Sequence, residues 1–192
     1  LGIFDTAQAA PWRPNGVGSD DLMAIFTGTH GQANGLDAVL NAASVLKQRG
    51  RTDIKLVLIG EGREKAALKA RAQSEQLGNV VFCDAVPKTK LAGLMASADL
   101  GMQCLANVPA FYFGTSPNKF FDYIASSLPV LNNYPGWLAG LIAENACGFA
   151  VPPDDKTAFA DALEQAASDK AALVQMGQNA RALAEAQFDR EL

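Results

Sequence analysis

The chain has 192 residues, 49% of them hydrophobic and 19% charged, with a formal net charge of -4. That much apolar sequence buries a substantial core and fits one large domain, while the acidic balance excludes nucleic acid as the main ligand, because binding a phosphate backbone needs a clustered basic field. No window reaches the roughly eighteen uninterrupted apolar residues of a membrane-spanning helix, and Leu1-Gly2-Ile3-Phe4-Asp5 lacks the charged and apolar regions of a signal peptide.

Residues 1–20, with Pro11, Pro14, Gly16 and Gly18 and no sustained period, read as an irregular lead-in or linker remnant, and the packed domain is expected over 21–192. Short apolar runs then predict strands at 22–26, 54–59, 80–83, 100–104, 130–132 and 149–151. Helical patterns fall between them. The first runs from Gly35 to Arg49, with Leu36, Val39, Leu40, Ala43 and Leu46 on one face and Gly50 as its stop. Others are predicted over about 64–76, about 88–97 after Pro87, and 117–127. Beyond Pro152-Pro153, Asp154 or Asp155 can cap a helix carrying Phe159, Leu163 and Ala166, and 171–188 reads as an Ala-rich final helix. This alternation calls for right-handed βαβ crossovers and predicts an α/β, doubly wound, mostly parallel sheet with helices on both faces.

In such sheets ligands sit outside the carboxyl ends of the strands, so the loops that follow strands are the candidates. Thr27-Gly28-Thr29-His30-Gly31 follows the first strand, and its glycines let the backbone approach a bound group at a helix start. Tight turning explains those glycines equally well. His30, the only histidine, can donate to a phosphate or bound sugar there, though a lone loop histidine is more often incidental. Gly60-Glu61-Gly62, opening a helix with Arg63, can also face the cleft, though a plain βα turn accounts for its glycines more readily, and Asp84-Ala85-Val86-Pro87 can present backbone groups to a flat base. The aromatic segment from Leu105 to Thr115 either lines a ligand or covers the core, and Tyr134 and Trp137 are expected to pack the domain edge.

Ser116-Pro117-Asn118-Lys119 carries the strongest signal. Ser116 suits an N-cap, Pro117 the first helical position, and Lys119 adds a cation beside unpaired N–H groups, which together make a seat for a diphosphate. Asp122, three residues on, can accept hydrogen bonds from vicinal sugar hydroxyls. The alternative is that Lys119 and Asp122 merely pair with each other. Cys83, Cys104 and Cys147 lack metal-like spacing and read as reduced thiols of a cytosolic protein, so neither a disulfide nor a metal is expected.

Taken in order, the 26–31 loop with Asn34-Gly35-Leu36-Asp37, Leu58-Ile59-Gly60-Glu61-Gly62, Ala98-Asp99-Leu100 and Ser116-Pro117-Asn118-Lys119 through Pro129-Val130 resemble the C-terminal, nucleotide-sugar-binding domain of GT-B glycosyltransferases of family 4. The resemblance is greatest to a bacterial branch that builds surface polysaccharides such as lipopolysaccharide or capsule. It implies a retaining, metal-independent transfer of an N-acetylated sugar from a UDP donor, with no cofactor, to a polysaccharide or lipid-linked acceptor. The acceptor would be held by an N-terminal domain that this chain does not contain, so the fragment would bind but not turn over. Cytoplasmic placement, peripheral to the inner face of the membrane through the missing domain, is implied too. By the same resemblance Asp122 binds the donor ribose, Lys119 and the Gly28, Thr29 and Gly31 loop hold the diphosphate, and Val86 lies against the base. Lys119, together with the helix terminus formed by Ser116, Pro117 and Asn118, would neutralise the departing UDP. The sequence departs from the family pattern in three places: Gly114 occupies the position of the first acid of its Glu-x7-Glu motif, Asp stands for Glu at 122, and Thr29 and Asn34 fall where basic residues are usual. The alternatives are a nucleotide-sugar epimerase of related fold and a non-catalytic assembly module.

Overall fold

The computed structural model describes residues 9–114 and 117–187. Six strands run in parallel in the spatial order β3-β2-β1-β4-β5-β6: β1 (Leu22–Thr27), β2 (Ile54–Ile59), β3 (Val80–Cys83), β4 (Leu100–Gln103), β5 (Val130–Asn132) and β6 (Gly148–Ala150). Between and after them lie α1 (Asp37–Gln48), α2 (Lys65–Ser74), α3 (Lys88–Ser97), α4 (Pro109–Gly114), α5 (Asn118–Ala125), α6 (Trp137–Glu144), α7 (Lys156–Ser168) and α8 (Lys170–Gln187). The expected doubly wound fold is present, with strand order reversing between β1 and β4.

The strand period of two sorts the core into two layers. Leu22, Ala24 and Phe26 of β1 join Leu56 and Leu58 of β2 under α1, α2 and α7. Met23 and Ile25 join Val57 and Ile59 under α3, α5 and α6. The final helix spans both layers, with Leu173 in the first and Ala180, Leu183 and Ala184 in the second. Asp155 caps α7, its side chain accepting from the Ala158 N–H at 2.8 Å. The lead-in is tied down by Trp12, which donates to the Lys90 carbonyl, and by Arg13, which reaches the Ser97 carbonyl and Asp99.

The reversal point is held by one hydroxyl. β1 and β4 stay in register only at Ala24↔Leu100 and Ile25↔Gly101 and then diverge. Tyr123, fully buried on α5, fills the gap: its hydroxyl accepts from the Thr27 N–H at 3.2 Å and lies 3.2 Å from the Met102 carbonyl oxygen. Gly101 makes room for the ring, since a Cβ there would lie 2.5 Å from Tyr123 Cγ. Replacing Tyr123 by Phe strands the buried Thr27 N–H and is expected to cost about 1–3 kcal/mol, read as a lower denaturant midpoint at unchanged slope.

Two helices were not legible beforehand. α4 lies in the aromatic segment, where Phe111 and Tyr112 cover the second core layer, Tyr112 stacks on Tyr134 with ring centroids 5.8 Å apart, and Phe113 remains 90% exposed. Tyr134 is buried at the domain edge as expected. Trp137 is not: it opens α6 and stays 59% exposed, because the positive φ of Gly136 swings the chain outward just before the helix.

Candidate functional site

A cavity of about 290 Å³ opens at the carboxyl ends of β1, β2 and β3, lined by Thr27, Gly28, Thr29, Gly60, Glu61, Ala85 and Val86 among others. A second, of about 350 Å³, lies at the opposite end of the sheet among Leu22, Asp53, Asp99 and Leu128, away from the loops that follow β1, β2 and β3. The first cavity is built by backbone packed on backbone. Gly28 (φ +144°) donates its N–H to the Ile59 carbonyl at 3.0 Å, and Gly60 (φ +142°) donates to the Cys83 carbonyl at 3.1 Å. A Cβ on Gly60 would overlap the Gly28 carbonyl oxygen, so the two loops meet only because neither residue has a side chain.

Lys119 enters this corner from α5. Its Nζ lies 5.1 Å from the centre of the Phe26 ring and 2.9 Å from where a Cβ on Gly28 would stand. Among the described residues no carboxylate is within ion-pair distance of it, Asp122 included. The pairing alternative therefore does not hold in this structure. Burial pushes the Lys119 pKa below the ordinary lysine value, while the nearby Cys104 and Asp122 pull it back up. Asp122, half-buried one turn on, has its carboxyl raised by desolvation, against the opposing charges of Lys88 and Lys119. Lys88 starts α3 directly after Val86-Pro87, so Asp122 feels both the cation beside Gly28 and the one that follows the Val86 loop. A cation and an acid, each desolvated and neither paired with the other, form an arrangement that a ligand carrying both an anion and hydroxyls would complete.

The other candidates are placed as follows. Gly28, Thr29 and Val86 line the cavity. Gly31 starts a short 3-10 turn over Gln32–Asn34 and lies outside the lining; the Asn34 side chain folds back onto the Thr29 carbonyl at 2.6 Å. α5 begins at Asn118, which is exposed, and Pro117 stands one position earlier, at the residue before the helix instead of at the first helical position. The N-cap expected at Ser116 lies outside the described residues.

His30 is turned the other way. Its ring is fully buried, 6.1 Å from Phe26 and 6.4 Å from Phe82 by centroid, and neither nitrogen has a partner among the described residues. It serves the loops through its backbone, donating to the Glu61 carbonyl at 2.8 Å and accepting from the Glu64 N–H at 2.9 Å. Burial first, and the charge of Lys65 second, lower its pKa from the ordinary 6.5, with Glu61 opposing. A depressed value means the unfolded chain takes up a proton that the folded one refuses, so stability falls as the pH drops below about 6.5. Relative to a His30→Phe variant, which keeps the ring packing, the parent is expected to lose up to about 1.4 kcal/mol per pH unit in that window; melting curves of both proteins across the window check it.

Sequence reasoning missed Lys65. It is 8% exposed, and its Nζ donates to the Gly60 carbonyl (2.9 Å), Glu61 Oε1 (2.9 Å), Asp84 Oδ1 (3.1 Å) and the Cys83 carbonyl (3.3 Å). The Glu61 to Lys65 spacing of one helical turn was the only trace it left.

Among the described residues no group of His, Cys, Asp or Glu side chains is gathered as a metal site, Cys83, Cys104 and Cys147 are free, and no helix is long and apolar enough to cross a membrane. No curated protein matches the sequence. The C-terminal domain of the group 1 glycosyl transferase LpcC from Francisella tularensis is similar in structure (TM-score 0.74, 19% identity, covering 97% of this chain and 99% of that one). So are WaaG, a glycosyltransferase involved in lipopolysaccharide biosynthesis (TM-score 0.72, 21% identity, covering 91% of this chain), and Anabaena HepE in complex with UDP and glucose (TM-score 0.72, 19% identity, covering 88%). The chain spans 45% of the length of each of the latter two. The family model of the glycosyl transferases group 1 matches residues 12–183. With that match over most of its length, and with the fold of a C-terminal GT-B domain, the chain belongs to the glycosyl transferases group 1.

Proposed function

We propose that the chain is the donor-binding half of a retaining glycosyltransferase of family 4 type, which takes a UDP-sugar, N-acetylated in the best reading, for transfer to a polysaccharide or lipid-linked acceptor held by a separate N-terminal domain. One observation carries this reading: the desolvated Lys119 ammonium, without a carboxylate partner among the described residues, standing against Gly28 beside the carboxyl-end cavity. A diphosphate there gains a cation and the amino end of α5; in this reading Val86, which lines the same cavity, takes the base, and Asp122, three residues after Lys119, takes the ribose. As the glycosidic bond breaks, the negative charge leaving with UDP is met by Lys119 and the α5 amino terminus, so no metal or cofactor is assigned to the step. The solved complex of HepE with UDP and glucose supports the choice of uracil nucleotide. At the cell level the same reading puts the enzyme in the cytoplasm at the inner face of the membrane, building lipopolysaccharide or capsule.

The epimerase alternative needs an acid and base pair in the cavity, and the one carboxylate lining it among the described residues, Glu61, is engaged by Lys65. Calorimetry with UDP, UDP-GlcNAc and GDP tests the proposal. UDP and UDP-GlcNAc are expected to bind more tightly than GDP; no heat from any of the three at millimolar concentration would defeat it.

A further inference from the structure

The last register pair of the β2–β3 ladder is Ile59↔Cys83, followed by the single bond from the Gly60 N–H to the Cys83 carbonyl. Beyond it, among the described residues, no backbone hydrogen bond joins residues 61–64 to residues 84–87. Yet these two loops supply Glu61, Ala85 and Val86 to one cavity wall. The group that spans them is the Lys65 ammonium, which takes the Gly60 carbonyl and the Glu61 carboxylate on one side and the Cys83 carbonyl and the Asp84 carboxylate on the other. Four acceptors around a three-donor ammonium leave it fully engaged.

The placement is costly in two ways, which argues that the contacts are what hold a lysine there. Lys65 is the first residue of α2, where a cation opposes the helix dipole, and the first turn carries no acidic residue to offset it. The ammonium is also taken out of water, although its partners are not: the Asp84 side chain is 93% exposed and that of Glu61 is 59% exposed. Burial works against the charge, and the bonds to Glu61 and Asp84 more than restore it, so the Lys65 pKa is raised and the clamp stays charged.

We propose that Lys65 is a positioning residue for the nucleotide: by fixing Asp84 against Gly60 and Glu61 it sets where Ala85 and Val86 stand over the cavity, and so governs affinity for the nucleoside part and not for the diphosphate. This rests on the reading of the cavity as a nucleotide site. Lys65 lines no part of the cavity and acts only through the loop that follows Cys83.

The test compares UDP with inorganic pyrophosphate, each titrated calorimetrically into the parent chain and into Lys65→Met, Lys65→Arg and Asp84→Asn. Lys65→Met is expected to weaken UDP binding about tenfold and pyrophosphate binding by less than about twofold, with Lys65→Arg restoring UDP binding to within about threefold. Equal losses for both ligands would reduce Lys65 to a structural role and overturn the proposal, as would UDP binding unchanged in a folded Lys65→Met chain. Should Lys65→Met fail to fold, Asp84→Asn decides, because it alters only an exposed side chain: a lowered ratio of UDP to pyrophosphate affinity supports the clamp and an unchanged ratio overturns it. A parent chain that binds neither ligand fails at the first titration, and what falls there is the nucleotide site itself.

Discussion

Replacing Lys119 by Met is expected to weaken UDP binding by about 1.5–3 kcal/mol, roughly ten- to a hundredfold in Kd, while leaving the chain as stable as the parent. The two halves of that expectation have separate causes. The affinity loss follows from removing a charge-assisted contact to a diphosphate, since no described carboxylate lies within ion-pair distance of Lys119. The stability half is a balance. The ammonium forfeits hydration where it stands, and its contact with the Phe26 ring returns about 0.5–1 kcal/mol. These oppose each other, so melting within about 3 °C of the parent is expected. The lowered pKa adds a signature. Bound anion favours the charged amine, so UDP affinity in the parent should decline at a pH below the ordinary lysine range, and the Met variant should lack that decline. Calorimetry at several pH values, with melting curves on the same samples, reads all three. A Met variant that binds UDP like the parent removes Lys119 from the site, and one that unfolds makes it part of the scaffold.

Strand and helix alternation was legible because each buried strand is a near-continuous apolar run and α1 keeps its residues on one stripe, which ties both to the sequence by burial alone. α6 escaped for the opposite reason. Its eight residues, Trp-Leu-Ala-Gly-Leu-Ile-Ala-Glu, are apolar nearly all round, so no period marks them, and its N-cap position is Gly136, which offers no capping side chain. α4 starts at Pro109 and runs only to Gly114, too short for a helical period to show. Within the site, glycines announced the loops, but whether a glycine serves a turn or a close approach depends on what stands opposite, which no local pattern records. Tyr123 and Lys65 illustrate the same limit for side chains. Each looked like an ordinary helix residue, and each works by reaching atoms of another strand, Met102 in one case and Cys83 in the other. Lysine is hard to suspect of burial because it is so rarely buried; Gly101 within an apolar strand was the one hint that a large ring lay across from it. His30 shows the converse: its place in the loop suggested exposure, and its neighbours Phe26 on β1 and Phe82 on β3, with β2 between them, draw the ring inward instead.

Gly60 and Gly50 make a matched pair for measuring how much the site depends on backbone approach. Both have positive φ, +142° and +69°, so alanine at either is strained. They differ in surroundings. A Cβ on Gly50 meets nothing within 4 Å, whereas one on Gly60 overlaps the Gly28 carbonyl oxygen and crowds its carbon at 2.9 Å. Backbone cannot rotate aside as a side-chain end can, so relief requires the loops after β1 and β2 to separate. That movement breaks the Gly28 to Ile59 and Gly60 to Cys83 bonds and pulls Gly28 away from Lys119. Gly50→Ala is accordingly expected to cost about 1 kcal/mol, the conformational term alone, with UDP binding unchanged. Gly60→Ala is expected to cost upward of about 3 kcal/mol, and any folded fraction should bind UDP at least about tenfold more weakly, because Lys119 and the Val86 loop no longer face one cavity. Urea midpoints and UDP titrations on the two variants decide it. A Gly60→Ala chain as stable as Gly50→Ala, or one that keeps the parent's affinity, would mean the loops have room that this packing denies them.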